Sequence, residues 1–370
     1  MKIAVIGIRG LPANYGGFET CAEHTTKYWA ANGHDVLVYC RKSHYKIHLD
    51  EVNGVKLKYI NSINIKGVDT LTHALFSILN LIFFQSNYKY IHLYNSGNGI
   101  FIPLLKLFNK KVIISVDGIE WKREKWGFIA KTIHKIGARM AVKFSNKVIT
   151  DNKEVHDFYK KEFGKESSVI KYGAKFIEKD KIADKYLRKY NLKSKEYYIF
   201  IGRFVQEKGL HHLIKAYQNL NTKKRLVIIG DDTANTPYKN EIFNKGEKDP
   251  NIIMPGFLYN DEYEALLSNA YLYVSASELE GTSPSLLAAM GAKVCALVNG
   301  IEENLETIQS SAIAFKKLNY NDFLIKWQYC EDNPQFVDEM AMKGYQHVQK
   351  NYRWETISQE YIQIFNDLKK

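Results

Sequence analysis

The chain has 370 residues and a formal net charge of +12; 45% of its residues are hydrophobic and 25% are charged. This composition is that of a globular protein and excludes an intrinsically disordered chain. The length exceeds one ordinary hydrophobic core and predicts two domains.

The N-terminal half begins with the pattern of a nucleotide-binding sheet. A strand is predicted over residues 2–8, a helix over 18–31 and a second strand over 35–40, with an Asn-Gly pair ending the helix. This strand-helix-strand start favours a parallel, doubly wound sheet. Because the first strand begins at residue 2, no secretory signal is predicted. Further buried strands are predicted over 90–94 and 111–116.

The second half repeats the same alternation after a highly charged segment. Residues 1–175 are predicted as one domain, 176–196 as a linker, 197–350 as a second domain and 351–370 as a helix that packs back across the domains. The strands predicted in the second domain are 197–201, 225–229, 251–254, 271–275 and 293–298. We therefore expect two Rossmann-like domains with a ligand-binding cleft between them.

Three weaker signals bear on membrane, redox and metal roles. The most apolar run, residues 71–84, is short for a membrane span. The four cysteines are far apart, which predicts buried free thiols in a reducing cytoplasm. The histidines His24, His34, His92 and His134 lack metal-ligand spacing, so core or surface roles are predicted for them.

Arg203 and Lys208 lie in the loop between the strand predicted over 197–201 and a helix that begins near Leu210. A strand-to-helix junction presents unpaired backbone N–H groups and the positive end of a helix dipole. An Arg fork and a Lys point charge at that position suit two linked phosphates. The loop therefore predicts a nucleotide-activated substrate.

A second strand-to-helix junction occupies residues 275–290. Small hydroxyl side chains surround Glu280, and Pro284 suits the first helical turn. The backbone of such a junction can bind an anion while Glu280 accepts hydrogen bonds from sugar hydroxyls. The alternative is an ordinary capped helix whose glutamate is solvated.

These two junctions, some seventy residues apart, resemble those of retaining glycosyltransferases of the GT-B fold, family four. Residues 7–20 and 117–126 look like two signatures of a narrower branch, which includes bacterial rhamnosyltransferases that act early in surface-polysaccharide assembly. The resemblance spans nearly the whole chain. It implies an α/β fold of two Rossmann-like, doubly wound domains facing a central cleft.

The resemblance also implies roles for individual residues. Arg203 and Lys208 would hold the donor diphosphate and stabilise the departing nucleotide, Glu280 would contact the donor sugar, and Asp117 falls near the transferred sugar. These four are the predicted catalytic residues. The donor-binding residues that the resemblance implies are Gly16, Gly17, Gly202, Arg203, Lys208, Gly256, Phe257, Glu280, Gly281 and Thr282.

Within that set, Gly16 and Gly17 would let the backbone approach the phosphates, because a Cβ there would intrude. Gly256 and Phe257 match the turn that contacts the nucleotide base. Family members need no metal, and the sequence has no Asp-x-Asp motif. No cofactor is therefore expected besides the nucleotide-sugar substrate.

One position departs from the family pattern. The second glutamate that usually follows the first by eight residues is Ala288 here. In relatives that carboxylate holds the ribose hydroxyls of the nucleotide, and alanine cannot accept those bonds. A deoxyribose nucleotide would lose less from the change, which suits a dTDP-sugar; with the resemblance to rhamnosyltransferases, the expected donor is dTDP-rhamnose. Glu278, Glu302 and Glu303 are nearby carboxylates that could substitute.

A cluster of acidic, aromatic and basic side chains is the predicted acceptor site. Aromatic faces would stack on sugar rings while Lys and Arg bind a pyrophosphate, as a lipid-linked sugar acceptor requires. A structural turn with a solvated helix start is the alternative. The predicted acceptor residues are Glu120, Trp121, Lys122, Arg123, Lys125 and Trp126.

The basic excess lies entirely in the first half of the chain. Residues 1–180 contain 28 Lys and Arg against 16 Asp and Glu, whereas residues 181–370 contain 24 of each. Downstream of the acceptor cluster, apolar residues recur at helical spacing beside a basic stripe; they are Ile129, Ile133, Ile136, Met140 and Phe144. This pattern predicts either a core helix with a solvated basic face or a helix that docks on an anionic membrane.

The preferred interpretation is a hexosyltransferase-type, retaining, metal-independent glycosyltransferase of bacterial polysaccharide synthesis. It would be cytoplasmic and peripherally bound to the inner face of the cell membrane. Alternatives are another GT-B enzyme such as a sugar-nucleotide epimerase, or a non-catalytic glycosyltransferase-like partner, which Ala288 keeps open. Nucleic-acid binding is disfavoured, because the bases gather on one amphipathic segment without a recognised binding module.

Overall fold

The chain divides into two compact units in a computed structural model. The first unit contains Met1–Tyr172 and Trp354–Lys370, and the second contains Gly173–Arg353. The structure describes residues 1–13, 16–65, 68–116, 118–122, 127–178, 183–232 and 236–369, with residue 122 described by its backbone alone.

Each unit is built on one largely parallel β-sheet. The strands of the first unit are β1 Lys2–Ile6, β2 Asp35–Arg41, β3 Glu51–Val52, β4 Val55–Ile60, β5 Tyr90–Tyr94, β6 Lys111–Val116, β7 Lys147–Thr150 and β8 Ser168–Val169. Those of the second unit are β9 Tyr197–Ile201, β10 Arg225–Ile229, β11 Ile252–Gly256, β12 Leu272–Ser275, β13 Cys295–Asn299 and β14 Ile313–Phe315.

The α-helices follow the strands in alternation. Those of the first unit's N-terminal part are α1 Gly17–Ala31, α2 Val68–Phe84, α3 Ile102–Leu107, α4 Phe128–Phe144 and α5 Lys153–Phe163. Those of the second unit are α6 Ala183–Lys189, α7 Leu210–Gln218, α8 Pro237–Glu247, α9 Asn260–Ser268, α10 Pro284–Gly291, α11 Glu302–Ile308, α12 Tyr320–Asp332 and α13 Pro334–Asn351. The last helix, α14 Trp354–Asp367, belongs to the first unit.

Strand order confirms the predicted α/β class with two Rossmann-like, parallel sheets. The first sheet has the order β3-β4-β2-β1-β5-β6-β7-β8, and the second has the order β11-β10-β9-β12-β13-β14. The β3–β4 pair is antiparallel, and the other neighbours are parallel. Residues 3–6 of β1 and all of β9 are continuous apolar runs, as is typical of strands with both faces covered.

Helix α1 ends as its sequence predicts. Asn32 caps its C-terminus, and Gly33 adopts a φ of 77°, a left-handed conformation that a glycine accepts without strain. The helix buries Cys21, Ala22 and Trp29, which lie on one face.

Helix α14 completes the core of the first unit. Its Trp354, Ile357, Tyr361 and Phe365 are buried at helical spacing. Trp29 of α1 is fully buried; its indole Nε1–H donates to the Ser358 carbonyl at 3.1 Å, and its ring contacts Tyr361 and Phe365 edge-on. Helix α14 therefore covers Trp29 of α1, which would otherwise be exposed to solvent.

The charged segment 176–196, predicted as a linker, lies within the second unit. It contains α6, whose Ala183 and Leu187 are buried. Lys189 of α6 and Glu262 of α9 form an ion pair at 2.7 Å. The segment is thus partly folded against its own unit.

The cysteines and the apolar run 71–84 both lie within the folded units. All four cysteines are unpaired and buried. Residues 71–84 lie within α2, and among the described helices none has the length and apolar character needed to cross a membrane.

We expect Phe365→Ala to lower the free energy of unfolding by about 3–5 kcal/mol, because the truncation leaves a cavity beside Trp29. Gln363→Ala, on the exposed face of the same helix, should change it by less than about 0.5 kcal/mol. Chemical denaturation followed by tryptophan fluorescence measures both. Equal effects of the two substitutions would contradict the packing of α14 on α1.

Candidate functional site

The second sheet contains one topological switch point, between β9 and β12. Strands β10 and β11 lie to one side of β9, while β13 and β14 lie beyond β12. The loops that follow the two central strands lie at the carboxyl edge of the sheet, where α/β folds bind ligands at such a switch point. The two junctions predicted from the sequence follow these same two strands.

The backbones of these two loops touch. The Glu278 N–H donates to the Glu207 carbonyl at 2.8 Å. Gly209 has a φ of 63°, and a Cβ at that position would lie 2.3 Å from the Ala276 carbonyl oxygen. Both the φ and the close approach require glycine. The start of α7 is thereby fixed against the loop after β12.

An ion pair joins the same two loops. The Lys208 ammonium donates to Oε1 of Glu280. Only 16% of the Lys208 side chain and 10% of the Glu280 side chain are exposed. In such a protected position each charge depends on the other for its stability. The ion pair therefore joins Lys208 of the first predicted motif to Glu280 of the second.

Arg203 differs from Lys208 in its surroundings. Its side chain is 41% exposed, and its guanidinium lies 3.9 Å from Oε1 of Glu207, at the limit of an ion pair. Since exposed pairs of this kind are weak, an incoming anion can replace Glu207 at little cost. One cation of the loop is held in place and the other is accessible.

The N-terminus of α10 contributes hydroxyl groups near Glu280. Ser283 is the N-cap residue and Pro284 occupies the first turn. The Ser285 hydroxyl lies 3.2 Å from the Ser283 hydroxyl and 3.1 Å from that of Tyr273. Thr282 is buried and Gly281 is half-buried in the connecting loop. This arrangement combines a positive helix end with groups that hydrogen-bond to an anion or a sugar.

The backbone at Gly202 packs closely on the neighbouring strand. Its N–H donates to the Ile229 carbonyl at 3.0 Å, and a Cβ on Gly230 would lie 1.9 Å from the Gly202 carbonyl oxygen. Gly256 ends β11 with a φ of 80°, and the exposed Phe257 follows. An exposed aromatic ring at this carboxyl edge can stack on a planar base.

Ala288 is buried within α10. The carboxylates considered as substitutes lie in different surroundings. Glu278 accepts a hydrogen bond from Tyr320 at 2.6 Å, Glu303 is buried in α11, and Glu302 is exposed at the start of that helix. The ribose contact predicted for the usual family glutamate has no counterpart at position 288.

In the first unit, Gly16 and Gly17 begin α1. The Gly16 carbonyl accepts from the Thr20 N–H at 3.1 Å, and a Cβ on Gly17 would lie 3.2 Å from the ring of Tyr172. Packing against Tyr172 is thus one reason for glycine at position 17. Their predicted approach to the donor phosphates stays a prediction.

Glu19, two residues after Gly17, lies in the first turn of α1 and is buried. It accepts a hydrogen bond from the Arg9 N–H at 2.9 Å. Burial raises the pKa of Glu19, and the bond from Arg9 opposes that rise. The carboxylate ties the loop after β1 to the first turn of α1.

The predicted acceptor cluster is described only in part. Asp117, Arg123, Lys125 and Trp126 lie outside the described residues, as does the side chain of Lys122. Glu120 is buried. The Trp121 ring packs on three aromatic rings of α5, those of Phe158, Tyr159 and Phe163. This packing accounts for Trp121 structurally, and its stacking on a sugar stays a prediction.

Sequence reasoning missed the group of side chains beside the two loops. His211 and His212 follow Leu210 in the first turn of α7. His212 Nε2 lies 3.5 Å from Glu278 Oε1. The adjacent His-His pair, next to a predicted phosphate loop, was the signal that could have identified them.

A comparison with known protein families gives two matches, one in each part of the chain. Residues 183–347 match the family described as glycosyl transferases group 1. This match lies within the second unit. Residues 1–175 match a domain of unknown function, DUF1972.

Solved structures share the fold over nearly the whole chain. Sucrose-phosphate synthase from Thermosynechococcus elongatus has a TM-score of 0.83 at 17% identity, covering 99% of this chain and 98% of its own. Anabaena Alr3699/HepE, in complex with UDP and glucose, has a TM-score of 0.82 at 14% identity, covering 99% and 100%. WaaG, a glycosyltransferase involved in lipopolysaccharide biosynthesis, has a TM-score of 0.74 at 14% identity, covering 97% and 98%. These likenesses establish the GT-B fold, and the match to the group 1 family supports a glycosyltransferase.

Lys208→Met should lower the free energy of unfolding by about 2–4 kcal/mol, because Glu280 keeps its charge in a protected position without a partner. The double variant Lys208→Met/Glu280→Gln should recover at least about 1 kcal/mol of that loss. Urea denaturation measures the coupling. Lys193→Met, in an exposed pair with Glu196, is the matched control and should change stability by less than about 1 kcal/mol. Strictly additive losses in the double variant would show that the pair contributes nothing.

Proposed function

We propose that the protein transfers a sugar from a nucleoside diphosphate donor to a lipid-pyrophosphate-linked sugar in the synthesis of a bacterial polysaccharide. The observation that carries this proposal is the Lys208–Glu280 pair at the switch point of a group 1 glycosyltransferase domain. Relatives of the same fold include a protein in complex with UDP-glucose and one involved in lipopolysaccharide biosynthesis.

The donor diphosphate would bind at the loop that contains Arg203 and Lys208. Lys208 has three N–H donors and gives one of them to Glu280, so it can bind a phosphate oxygen without releasing the carboxylate. The accessible Arg203 would take a second phosphate oxygen. Two cations beside the leaving group stabilise the charge that develops as the sugar departs.

Glu280 would have two tasks in the same complex. Its contact with Lys208 holds the lysine for the phosphate, and its carboxylate oxygens accept hydrogen bonds from sugar hydroxyls. Gly281 and Thr282 lie beside it in the same loop. The donor sugar is thereby placed next to the groups that bind its diphosphate, which lowers the entropic cost of reaction.

The proposed transfer retains anomeric configuration, with the acceptor attacking from the face that the nucleotide leaves. It needs no protein nucleophile, and Arg203 and Lys208 supply the positive charge that a metal ion supplies in other transferases. Asp117, outside the described residues, would lie near the transferred sugar.

Ala288 favours a deoxyribose nucleotide. A buried alanine in α10 cannot accept bonds from two ribose hydroxyls, so a nucleotide without the 2′-hydroxyl loses less. We therefore propose dTDP-rhamnose as the donor and a hexosyl transfer as the reaction. Phe257 would stack on the base.

The acceptor is proposed to be presented by a membrane, and helix α4 supports this. Its buried positions are small or polar: His134, Gly137, Ala138 and Ala141. By contrast Phe128 is 85% exposed and Ile129 is 75% exposed, and Ile136 is also exposed. The apolar stripe predicted for a core helix therefore lies partly in solvent.

Basic side chains share this exposed face of α4. Arg139 and Lys143 are exposed further along the helix. Exposed apolar side chains combined with basic ones suit the interface of an anionic bilayer. We propose that the protein is cytoplasmic and docks peripherally on the inner face of the cell membrane through α4.

Arg203→Ala should weaken nucleoside diphosphate binding by about 10- to 100-fold, because one charge-assisted contact is lost, and should abolish detectable sugar transfer. Stability should be unchanged, since Arg203 has only a weak contact with Glu207. Calorimetric titration with dTDP and UDP, and transfer from a panel of dTDP- and UDP-sugars to a lipid-pyrophosphate acceptor, measure these effects.

The matched control is Arg188→Ala, an exposed arginine on α6, which should bind and transfer like the wild type. Near-wild-type transfer by Arg203→Ala would overturn the assignment of the loop. Clear preference for UDP over dTDP would refute the proposed nucleotide. Donor binding without transfer from any sugar in the panel would favour the non-catalytic partner, and conversion of the sugar nucleotide itself would favour the epimerase.

Arg139→Glu/Lys143→Glu should reduce the fraction of protein that sediments with anionic liposomes by more than about tenfold, because each basic residue near the surface contributes about 1 kcal/mol. Neutral liposomes should sediment little of either protein. Lys343→Glu/Lys350→Glu, two exposed lysines of α13, is the charge-matched control. Equal recovery of all variants in the supernatant, insensitive to salt, would exclude docking through α4.

A further inference from the structure

Two imidazoles and a carboxylate meet beside the donor loop. His211 and His212 lie in the first turn of α7, and Glu278 lies in the loop after β12. Each of the three offers one ligand atom, and these atoms lie within 4.8 Å of one another. None of them belongs to the proposed donor site of Arg203, Lys208 and Glu280.

Neighbouring groups fix the orientation of His212 and Glu278. Tyr320 donates to Glu278 Oε1 at 2.6 Å, and the His212 ring stacks on the Tyr320 ring at 3.6 Å with an interplanar angle of 13°. Stacking occupies the face of the imidazole and leaves its in-plane nitrogen available to a ligand. A carboxylate oxygen carries two lone pairs, so the bond from Tyr320 does not prevent coordination.

The spacing suits a tetrahedral metal ion. His212 Nε2 lies 3.5 Å from Glu278 Oε1. Two ligand atoms bound to one tetrahedral Zn²⁺ at about 2.0–2.1 Å lie about 3.4 Å apart. All three ligand atoms lie within 4.8 Å of one another, and binding of an ion would draw them closer together.

His211 has the outer hydrogen bond that metal-ligating histidines usually make. Its Nδ1 lies 2.9 Å from the Tyr238 hydroxyl, so the other ring nitrogen can face an ion.

We propose that His211, His212 and Glu278 bind one divalent cation of the zinc class, with water in the fourth position. Two imidazoles and one carboxylate are a ligand set that zinc accepts, and imidazole nitrogen disfavours Mg²⁺ and Ca²⁺. The ion would connect the start of α7 to the loop after β12, the two segments already joined by the Glu278–Glu207 backbone bond. It would act as a structural clamp, and no step of sugar transfer requires it.

The test uses the full-length protein without a histidine tag, stripped of metal with a chelator. Titration with Co²⁺ alone should produce the visible absorption of a tetrahedral site, which Zn²⁺ then abolishes. Calorimetry should give one Zn²⁺ per chain. His212→Ala and Glu278→Gln should each weaken Zn²⁺ binding by at least about tenfold, because each removes or neutralises one ligand. Glu278→Gln keeps an acceptor for Tyr320 and guards against a folding defect in His212→Ala.

The matched control is His156→Ala. His156 in the first unit lies 3.3 Å from Glu166, so it is a histidine paired with a carboxylate outside the proposed site. Zn²⁺ should bind this variant as tightly as it binds the wild type. Absence of saturable binding to the wild type, or equal binding by all variants, would overturn the metal site.

Binding of dTDP and UDP, measured in the presence of the chelator, separates this proposal from the proposed function. Nucleotide binding without Zn²⁺ binding would reject the clamp alone. Zn²⁺ binding without nucleotide binding would reject the donor site alone.

Discussion

The close approach of two backbones at Gly209 and Ala276 is the constraint on which the arrangement of the second unit depends. Without a side chain at residue 209, α7 can start directly against the loop after β12. The Glu207–Glu278 hydrogen bond then aligns the two loops in register. Arg203, Lys208 and Glu280 lie on segments that this contact brings together, although the segments are some seventy residues apart in the chain.

The Lys208–Glu280 ion pair holds a positive charge in one position. A buried ion pair often contributes little net stability, because both ions lose their water. Its value here is positional: the ammonium is held near a helix N-terminus, with donors left over for an anion. Arg203 remains accessible beside it, so a fixed cation and a mobile one would approach the same ligand.

The sequence predicted the two sheets well because their central strands are uninterrupted apolar runs. Strands β1 and β9 were predicted with the correct start, and β12 within one residue of it. The β3–β4 hairpin was missed although its signals are present: Asn53-Gly54 forms the turn, and Lys56 and Lys58 alternate with buried residues. Strand β14 has only three residues, too few for a pattern.

Arg203, Lys208 and Glu280 were identified from their motifs, yet the contact between Lys208 and Glu280 was not. It depends on β9 lying next to β12, which is a property of strand order and not of residue spacing. The packing of Trp121 on α5 and the exposure of Ile129 and Ile136 could not be predicted either, because they also depend on how the elements pack together. Helical periodicity identifies a stripe of apolar residues in α4, but it does not show which side of the helix faces the core. That side is set by Gly137, whose missing side chain lets α4 approach the backbone of residues 96–97.

The return of α14 to the first unit has a consequence for biosynthesis. The second unit is a continuous segment, so it can fold as soon as its own residues have left the ribosome. The first unit cannot cover Trp29 until residues 358–365 have been made, although its sheet is synthesised first. The nascent first unit therefore presents an incomplete apolar surface throughout synthesis of the second, and the order of completion is the reverse of the order of translation.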